Sequence, residues 1–372
     1  MPPSSFTPPP RSKLSLLSPN SELQTPNYRM PAEWEPHEAT WLAWPENAVT
    51  WPGRLLAEVR SVYLRMIFEL LKGEKVHLLV KDEATAESVL KAALLARAET
   101  SRLVFHCVRA GDAWIRDYGP IFVTGRLRGQ TPLTPGQVGF TKWTFNAWGG
   151  KYRDLARDNG VVDQIPFLKK YRRLNAGMVL EGGSIDVNGR GTCLTTEQCL
   201  LISTRNPKLS RRDIERRLGR YLGIKKVIWL GEGIEGDDTD GHVDDIARFV
   251  GSNTVVAAAE EDRADSNHAV LKKNLEILRA SRDCQGKRLR VIELPMPGRV
   301  IGARKRRLPA SYANFYAANG LVLVPVYSHP NDRIALSILR RAFPGRRVVG
   351  IECTSLVFGL GAIHCITQQE PA

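Results

Sequence analysis

The sequence predicts an α/β fold, in which helices and strands alternate along the chain. Apolar residues recur at helical spacing over residues 55–70, and a strand-like run follows at 75–80. The same order returns at 266–281 before 289–294, and at 331–343 before 346–353. Such alternation is typical of α/β domains, and its recurrence indicates a pseudo-repeat of about 60 residues, although no residue signature recurs with it.

Local signals place the individual elements. The first helix follows Trp51-Pro52-Gly53 and stops at Gly73. A later helix begins at Ser210, where Asp213 three residues on completes a capping-box pattern, and it ends near Gly223 before a strand at 227–230. Four further segments have the apolar content of strands: 177–187, 193–201, 249–258 and 321–327.

Composition places the chain among ordinary globular proteins. With 372 residues, 43% of them hydrophobic, it can bury a substantial core in one large domain or two smaller ones. No run approaches the roughly 18 to 20 consecutive apolar residues of a membrane-spanning helix, and no signal peptide is expected. Six cysteines are too sparse for a disulfide scaffold, so we expect free thiols and a cytoplasmic location.

The formal net charge of +14 raises the question of nucleic acid. Much of the positive charge lies on a predicted helix face over 211–226 and in the run 304–307. Neither run interleaves the aromatic residues on which bases stack, and no zinc-finger or helix-turn-helix spacing is present. We therefore expect a solvated basic surface and no nucleic-acid partner.

Residues 1–26 are rich in proline and serine and contain few large apolar residues. Such a segment cannot bury enough apolar surface to fold, so we expect a disordered extension. The globular pattern starts near Tyr28, which predicts a single folded domain over 27–372.

Four short segments put charged or reactive side chains beside glycines, where a ligand can approach the backbone closely. They contain Asp117, Glu181, the pair His242 and Asp244, and Cys365. Cys365 is the most informative of these. A cysteine reached through a glycine-rich approach and followed by polar side chains is a poor core residue and a plausible nucleophile. We expect residues 359–369 to form an ordered central strand and loop.

Each segment alone also has an ordinary structural interpretation. Asp117 precedes a Gly-Pro pair and is more often a turn residue than a ligand. Glu181 could simply end a strand, and His242 could be a surface histidine among acids. His364 is expected to be structural or to support the site, because consecutive strand residues point to opposite faces.

Two cysteines on the predicted strand at 193–201, Cys193 and Cys199, are an even number of residues apart and so would share one face. We interpret them as buried, inert thiols. A zinc site needs three or four convergent ligands, and no Cys-x-x-Cys or His-x-x-x-His spacing supplies them. No Walker A or dinucleotide fingerprint follows a strand. The sequence therefore predicts neither a metal nor another cofactor.

Taken together, the four segments resemble the agmatine deiminase family, within the guanidino-group-modifying superfamily. The resemblance runs from about Tyr28 to the C-terminus. It includes the motifs YRMPAEWEPHEATWLAWP at 28–45, FNAWGG at 145–150, EGGSIDVNG at 181–189 and SYANFY at 311–316. It implies a five-bladed, pseudo-symmetric α/β-propeller of ββαβ units, the pentein fold, around a central site.

The resemblance also implies a reaction, in which a guanidinium is hydrolysed to a ureido group with loss of ammonia through a covalent amidino-cysteine. Cys365 would be the nucleophile, and His242 would act as general acid and then as base. Trp114 would lie along the flat or aliphatic portion of the substrate. The carboxylates around the guanidinium would be those of Asp117, Glu181 and Asp244.

These residue types suit that chemistry on physical grounds. Carboxylates can bind the N–H donors of a guanidinium in pairs and fix its carbon in line with a sulfur. Expelling ammonia requires a proton, which a histidine can donate before it deprotonates water. We expect His242 and Asp244 to lie on a strand that aims both side chains the same way. Residues 231–247 hold seven acids and no Lys or Arg, so the local field would attract a cation.

Three functions remain open at this point. Deimination of agmatine, in putrescine and polyamine biosynthesis, predicts an enclosed site with an acid for the substrate ammonium. Deimination of peptidyl-arginine or another guanidino compound predicts an open mouth with an arginine that binds a carboxylate. A catalytically silent, polyamine-binding member would lack one of the site residues, and none is lost. A homo-oligomer is compatible with the sequence.

Overall fold

Five small sheets, of three or four strands each, are formed by the part of the chain that the structure describes. The structure is a computed structural model that describes residues 28–125 and 138–372. The predicted extension at 1–26 lies outside the described residues.

The strands are short, with two to eight residues each. In chain order they are β1 (Tyr28–Arg29), β2 (His37–Ala43), β3 (Lys75–Val80), β4 (Leu103–Cys107), β5 (Ile121–Gly125), β6 (Val138–Thr144), β7 (Arg172–Val179), β8 (Asp186–Val187), β9 (Thr192–Thr196), β10 (Lys226–Leu230), β11 (Ala247–Gly251), β12 (Thr254–Ala259), β13 (Arg290–Pro295), β14 (Tyr316–Ala318), β15 (Leu321–Val326), β16 (Arg347–Glu352) and β17 (Gln368–Pro371).

The longer helices connect strands within a sheet. They are α1 (Leu55–Leu70), α2 (Glu83–Leu95), α3 (Arg211–Leu222), α4 (Ser266–Ala280) and α5 (Asn331–Ala342). Four-residue helices occupy Ile115–Tyr118, Ala147–Gly150, Glu197–Leu200 and Thr354–Val357. The 3₁₀ turns are Thr100–Arg102, Arg153–Gly160, Val162–Gln164, Pro166–Lys170, Gly182–Ser184, Val243–Asp245 and Ala303–Lys305.

Each sheet repeats one connection pattern. In three of them an antiparallel pair is followed by a helix and then by a strand parallel to the second: β8-β9-α3-β10, β11-β12-α4-β13 and β14-β15-α5-β16. The sheet of β5, β6 and β7 has the same order, with 3₁₀ turns in place of the helix. The predicted five-bladed architecture of ββαβ units is therefore confirmed.

The two ends of the described chain close the ring of blades. β1 pairs with β5 on the outer side of its sheet, whereas β17 pairs antiparallel with β2, next to β3 and β4. Nε1 of Trp41 donates a 2.7 Å hydrogen bond to Glu370 across the β17–β2 contact. The last residues thus complete the first blade. Within the segment 359–369, predicted as a strand and loop, residues 361–367 form a loop. The strand, β17, starts only at Gln368.

Several predicted elements are observed with small shifts of their ends. α1 buries the predicted apolar face, including Val59, Met66 and Leu70, and each such side chain contributes about 1.5 to 3 kcal/mol to folding. α3 begins with the predicted capping box, in which Ser210 and Asp213 satisfy each other's backbone N–H. Helix α2 was not predicted, because only Val89 and Ala93 on it are buried and its apolar stripe is weak.

Three predicted strands are wrong in their extent. Residues 177–187 are broken by the 3₁₀ turn Gly182–Ser184, and residues 249–258 are a hairpin of two strands. In 193–201 the strand ends at Thr196, whose hydroxyl accepts a hydrogen bond from the amide of Cys199 and starts the helix Glu197–Leu200. Cys193 and Cys199 therefore do not share a strand face, although both are buried as predicted.

The basic surface is confirmed along α3, where Arg211, Arg212, Arg216 and Arg220 are exposed. In the run 304–307 the prediction is wrong for Arg307. Its side chain is buried and lies 2.6 Å from a carboxylate oxygen of Asp265. Among the helices of the described ranges, none combines the length and apolar character that crossing a membrane requires.

Candidate active site

The four predicted segments meet at the bottom of one cavity with a volume of about 1060 Å³. Asp117, Trp114 and Cys365 line it. Glu181, His242 and Asp244 are each at most 1% exposed and lie against the lining residues. Asp244 is 3.8 Å from Sγ of Cys365, His242 is 3.8 Å from Asp117, and Glu181 lies within 4.8 Å of His242. All six candidate residues therefore belong to one chamber, although they come from distant parts of the sequence.

Cys365 lies in the loop between the helix Thr354–Val357 and β17. Its Sγ is 3.2 Å from Nδ2 of Asn314 and 3.8 Å from Oδ2 of Asp244. Burial, followed by the charges of Asp244 and Asp245, raises the pKa of the thiol well above its ordinary value. These surroundings therefore favour a protonated thiol.

Steric crowding explains why a glycine, Gly361, stands in the loop before Cys365. A Cβ on Gly361 would lie 2.6 Å from the ring of Trp114 and 3.2 Å from Sγ of Cys365. Trp114 itself packs on Trp51, with ring centroids 5.4 Å apart. The loop can thus pass between the indole and the thiol only without a side chain.

His242 precedes the 3₁₀ turn Val243–Asp245. The expected strand carrying His242 and Asp244 is therefore absent, and the turn directs both side chains into the chamber. Nδ1 of His242 is 3.8 Å from Oδ1 of Asp117, and neither ring nitrogen has a hydrogen-bond partner among the described residues. Burial lowers the pKa of His242 to about 4, so the imidazole is neutral near pH 7.

Asp117 accepts hydrogen bonds on both carboxylate oxygens. Nε1 of Trp148 donates at 2.8 Å and the amide of Gly183 at 3.0 Å. Burial and the nearby charges of Asp244 and Glu181 nevertheless raise the pKa of Asp117 well above its ordinary value. A cation placed between these carboxylates would relieve that repulsion.

Glu181 is held at one oxygen and free at the other. Nε of Arg205 donates to Oε1 at 2.8 Å, while Oε2 is buried without a partner in the described part of the chain. Burial raises the pKa of Glu181, and the charge of Arg205 opposes that effect. The free oxygen is available to an N–H donor that enters the chamber.

Asp244 is arranged in the same way. Its Oδ2 lies 2.6 Å from Nδ1 of His364, and its Oδ1 has no partner within the described ranges. Burial would raise the pKa of Asp244, but the hydrogen bond and charge of His364 lower it. Among the three candidate carboxylates, those of Asp117, Glu181 and Asp244, that of Asp244 is therefore the most readily ionised.

Gly183 lets these groups converge. A Cβ at this position would lie 2.6 Å from Nδ1 of His242, 2.9 Å from Oδ2 of Asp244 and 3.1 Å from Oδ1 of Asp117. Real Cβ atoms do not make contacts of 2.6 Å. The second glycine of the 181–189 motif thus has a direct role in the geometry of the chamber.

Sequence reasoning missed the residues that hold the site in place. Glu33 lies 2.8 Å from Nε2 of His364 and 2.8 Å from Arg248. Burial would raise the pKa of Glu33, whereas the charges of Arg248 and His364 hold it well below its ordinary value. Glu33 lies in the motif at 28–45 and Asn314 in the motif at 311–316, so the motifs could have indicated a role for both residues. Arg205 lies outside all four motifs, so nothing in the sequence indicated its role.

Several of the residues that line the cavity are charged and exposed to solvent, among them Arg109, Arg153, Asp154 and Arg157, and we call this part of the lining the mouth. Arg109, Arg153 and Arg157 line it, and none of them makes an ion pair in residues 28–125 and 138–372. Of the acidic residues at the mouth, Glu46 pairs with Lys81 and Asp238 pairs with Arg306. Asp154 also lines the mouth. The rim is thus more positive than the chamber below it.

One buried group beside the cavity could hold a metal ion. Ligand atoms of Glu181, Cys199 and His242 lie within 4.8 Å of one another, and all three residues are buried. Cys199 was not expected to be near the site. These residues are far apart in sequence, so no ligand spacing marks them as a group.

Known proteins share both the sequence and the fold. Residues 29–371 match the family described as Porphyromonas-type peptidyl-arginine deiminase. The agmatine deiminase of Stutzerimonas stutzeri is 38% identical over 372 residues, which cover 93% of this chain and 96% of the relative.

Two solved structures extend the comparison. The agmatine deiminase of Enterococcus faecalis superposes with a TM-score of 0.83 at 32% identity, over 94% of this chain and 98% of the other. A variant agmatine deiminase of C. jejuni with substrate bound gives 0.82 at 30% identity, over 95% and 99%. The chain therefore belongs to the Porphyromonas-type peptidyl-arginine deiminase family, in which it resembles the agmatine deiminases.

Proposed function

We propose that the protein hydrolyses agmatine to N-carbamoylputrescine and ammonia through a covalent amidino-cysteine on Cys365. The observation that carries this proposal is the meeting of a buried thiol, an unpartnered neutral imidazole and three buried carboxylates at the floor of one cavity. Such a site suits a planar cation with several N–H donors. The names of its relatives support the same substrate.

Binding would begin with the guanidinium. Oε2 of Glu181 and Oδ1 of Asp244 are free acceptors, and Asp117 lies against the same chamber. A guanidinium that donates to these carboxylates would have its carbon held beside Sγ of Cys365. Trp114, which lines the cavity, would cover the aliphatic portion of the substrate.

Attack follows from the change in electrostatics on binding. Burial and then the carboxylates raise the pKa of Cys365, and the charge of a substrate cation opposes the carboxylates. We propose that neutral His242 accepts the thiol proton and then delivers it to the departing nitrogen. The S–C bond forms, the C–N bond breaks and ammonia leaves.

Hydrolysis would then use the same histidine as a base. Water occupies the position vacated by ammonia and gives a proton to His242 while its oxygen bonds to the amidino carbon. Collapse of that adduct breaks the S–C bond and yields the ureido product. The proton on His242 returns to sulfur, and the hydroxyl proton of the adduct leaves to solvent, where it converts the released ammonia to ammonium. Atoms balance as guanidinium plus water giving a substituted urea plus ammonium.

A second candidate is deimination of arginine at a peptide terminus, and the rim of the cavity favours it. Arg109, Arg153 and Arg157 line the mouth and would attract a carboxylate, whereas the ammonium of agmatine would depend on an acid such as Asp154. The family description points to the same activity in relatives.

Turnover assays separate these candidates. The protein is incubated with agmatine, free arginine and a peptide ending in arginine, and ureido product and ammonia are measured. The first proposal predicts the largest kcat/KM for agmatine, and Asp154→Asn lowers it while Arg153→Gln does not. Preference for the peptide, with loss on Arg153→Gln, supports the second. No turnover of any guanidine would leave the catalytically silent, polyamine-binding function.

We further propose that residues 27–372 act as one catalytic domain, in putrescine biosynthesis in the cytoplasm and without a required cofactor. The six cysteines are all free, which suits a reducing compartment. The family match covers nearly the whole of that range. A homo-oligomer is also proposed, and light scattering of the purified protein tests it.

A further inference from the structure

Cys199 has no part in the proposed reaction, yet it lies beside two residues that do, Glu181 and His242. It belongs to the short helix Glu197–Leu200, and its side chain is completely buried. Its Sγ, a carboxylate oxygen of Glu181 and a ring nitrogen of His242 all lie within 4.8 Å of one another. Three different ligand atoms, sulfur, oxygen and nitrogen, therefore converge from separate segments.

Two members of this group have unsatisfied polar atoms. Oε2 of Glu181 and both ring nitrogens of His242 are buried without hydrogen-bond partners in residues 28–125 and 138–372. Buried polar atoms without partners are costly, and few occur in folded proteins. Oε1 of Glu181 is meanwhile fixed by Arg205 at 2.8 Å, so the carboxylate is held in position with its other oxygen free.

We propose that Glu181, Cys199 and His242 form a binding site for Zn²⁺ or a similar thiophilic divalent cation, and that this cation inhibits the enzyme. Sulfur, imidazole nitrogen and carboxylate oxygen are the three protein ligand types that zinc prefers. Three protein ligands leave a fourth position for water. Cys199 gives up its thiol proton to solvent when the metal binds.

The surroundings favour a cation at this position. Asp244 contributes a second unpartnered carboxylate oxygen to the chamber, and Asp117 approaches His242 to 3.8 Å. The positive charge of Arg205 is already engaged by Glu181 and by Asp240, the latter at 2.6 Å. The site thus lies in a negative field that does not require the guanidine substrate.

Occupation of the site would exclude catalysis. A metal bound to His242 blocks the nitrogen that moves protons, and a metal bound to Glu181 removes an acceptor from the guanidinium. Binding of the metal does not depend on the proposed function, whereas the inhibition rests on it. The experiment therefore measures both separately.

Metal binding is tested by competition between the full-length protein and a chromogenic zinc chelator. The wild type is expected to take up zinc, and Cys199→Ala is expected to bind at least about tenfold more weakly. Cys193→Ala is the matched control, since this buried thiol lies on β9 and outside the group. Cys365→Ala is expected to bind zinc like the wild type. Cys199→Ser provides a second test if the alanine variant does not fold.

Cadmium gives an independent signal, a near-ultraviolet thiolate absorption that Cys199→Ala should lack and Cys365→Ala should keep. Equal zinc affinity in Cys199→Ala and the wild type would overturn the site, as would loss of binding in Cys365→Ala alone. In turnover assays zinc should inhibit the wild type more strongly than Cys199→Ala, each relative to its own zinc-free rate. Zinc binding without any turnover would retain the site and refute only the proposed function.

Discussion

Nδ1 of His364 lies 2.6 Å from Oδ2 of Asp244, so the residue next to Cys365 in sequence holds the carboxylate that lies next to its sulfur in space. On its other side His364 contacts Glu33, which Arg248 holds in turn. This row of buried side chains fixes one oxygen of Asp244 and leaves the other free. A rigid acceptor at that place is what a guanidinium requires.

We expect His364→Ala to lower kcat/KM for agmatine by about 10²-fold, because Asp244 loses the contact that orients it. The sign of the pH effect distinguishes positioning from a general loss of structure. His364 lowers the pKa of Asp244, so its removal raises that pKa and moves the acidic limb of the rate profile to higher pH. An acidic limb at the same pH as in the wild type would contradict the positioning of Asp244 by His364. His268→Ala, outside the chamber, is the control.

Gly183→Ala should abolish most of the activity while the protein still folds. The new Cβ would lie 2.6 Å from Nδ1 of His242 and must displace it, at a cost of roughly 1 to 3 kcal/mol in stability. Gly160→Ala is the matched control, since the nearest atom to its Cβ would be 3.9 Å away. Steady-state kinetics and thermal unfolding of both variants measure the difference. Full activity of Gly183→Ala would show that the chamber is looser than described.

Substrate binding should tighten as pH rises. Burial raises the pKa values of Asp117 and Glu181, so a bound cation favours their ionised forms and releases protons. Agmatine affinity of Cys365→Ser, measured by calorimetry in two buffers, should increase between about pH 5 and 8, with proton uptake by the buffer. Asp117→Asn should reduce that release. Affinity independent of pH would contradict the assignment.

Acid should destabilise the blade that contains β17. Trp41 stacks on His77 and His106, whose facing nitrogens are 2.7 Å apart, and burial lowers the pKa of His77 to about 3 and that of His106 to about 4. The unfolded chain binds protons first, so stability is complete above about pH 6.5 and falls as pH drops toward these values.

The expected loss at pH 5 is on the order of 1 kcal/mol per histidine, measured by urea unfolding between pH 7 and 5. His106→Gln should reduce the slope of stability against pH, because one of the two titrating rings is gone. His268→Gln, outside the pair, should leave it unchanged. A slope equal to that of the wild type in His106→Gln would refute this account of the cluster.

Local patterns predicted the parts of the fold that local interactions decide. The apolar stripe of α1 and the capping box at Ser210 are properties of neighbouring residues, and both are observed. The prediction of a strand that continues through Cys199 was wrong, because the hydroxyl of Thr196 caps a short helix there. Apolar content alone does not distinguish a strand from a short buried helix.

The candidate residues were found through motifs, whereas their supports depend on contacts that only the closed ring creates. Glu33 and His364 meet because β17 returns to pair with β2. Arg205 reaches Glu181 from a loop that carries no recognisable pattern. The group of Glu181, Cys199 and His242 has no regular spacing for the same reason.

The covalent role of Cys365 is tested most directly by mass spectrometry of the C-terminal peptide after turnover with agmatine is quenched rapidly with acid. The account predicts an amidino adduct on Cys365 that forms and decays with turnover and is absent from Cys365→Ser, which should have no measurable activity. Sustained turnover with an unmodified Cys365 peptide at every quench time, or normal activity of Cys365→Ser, would contradict it.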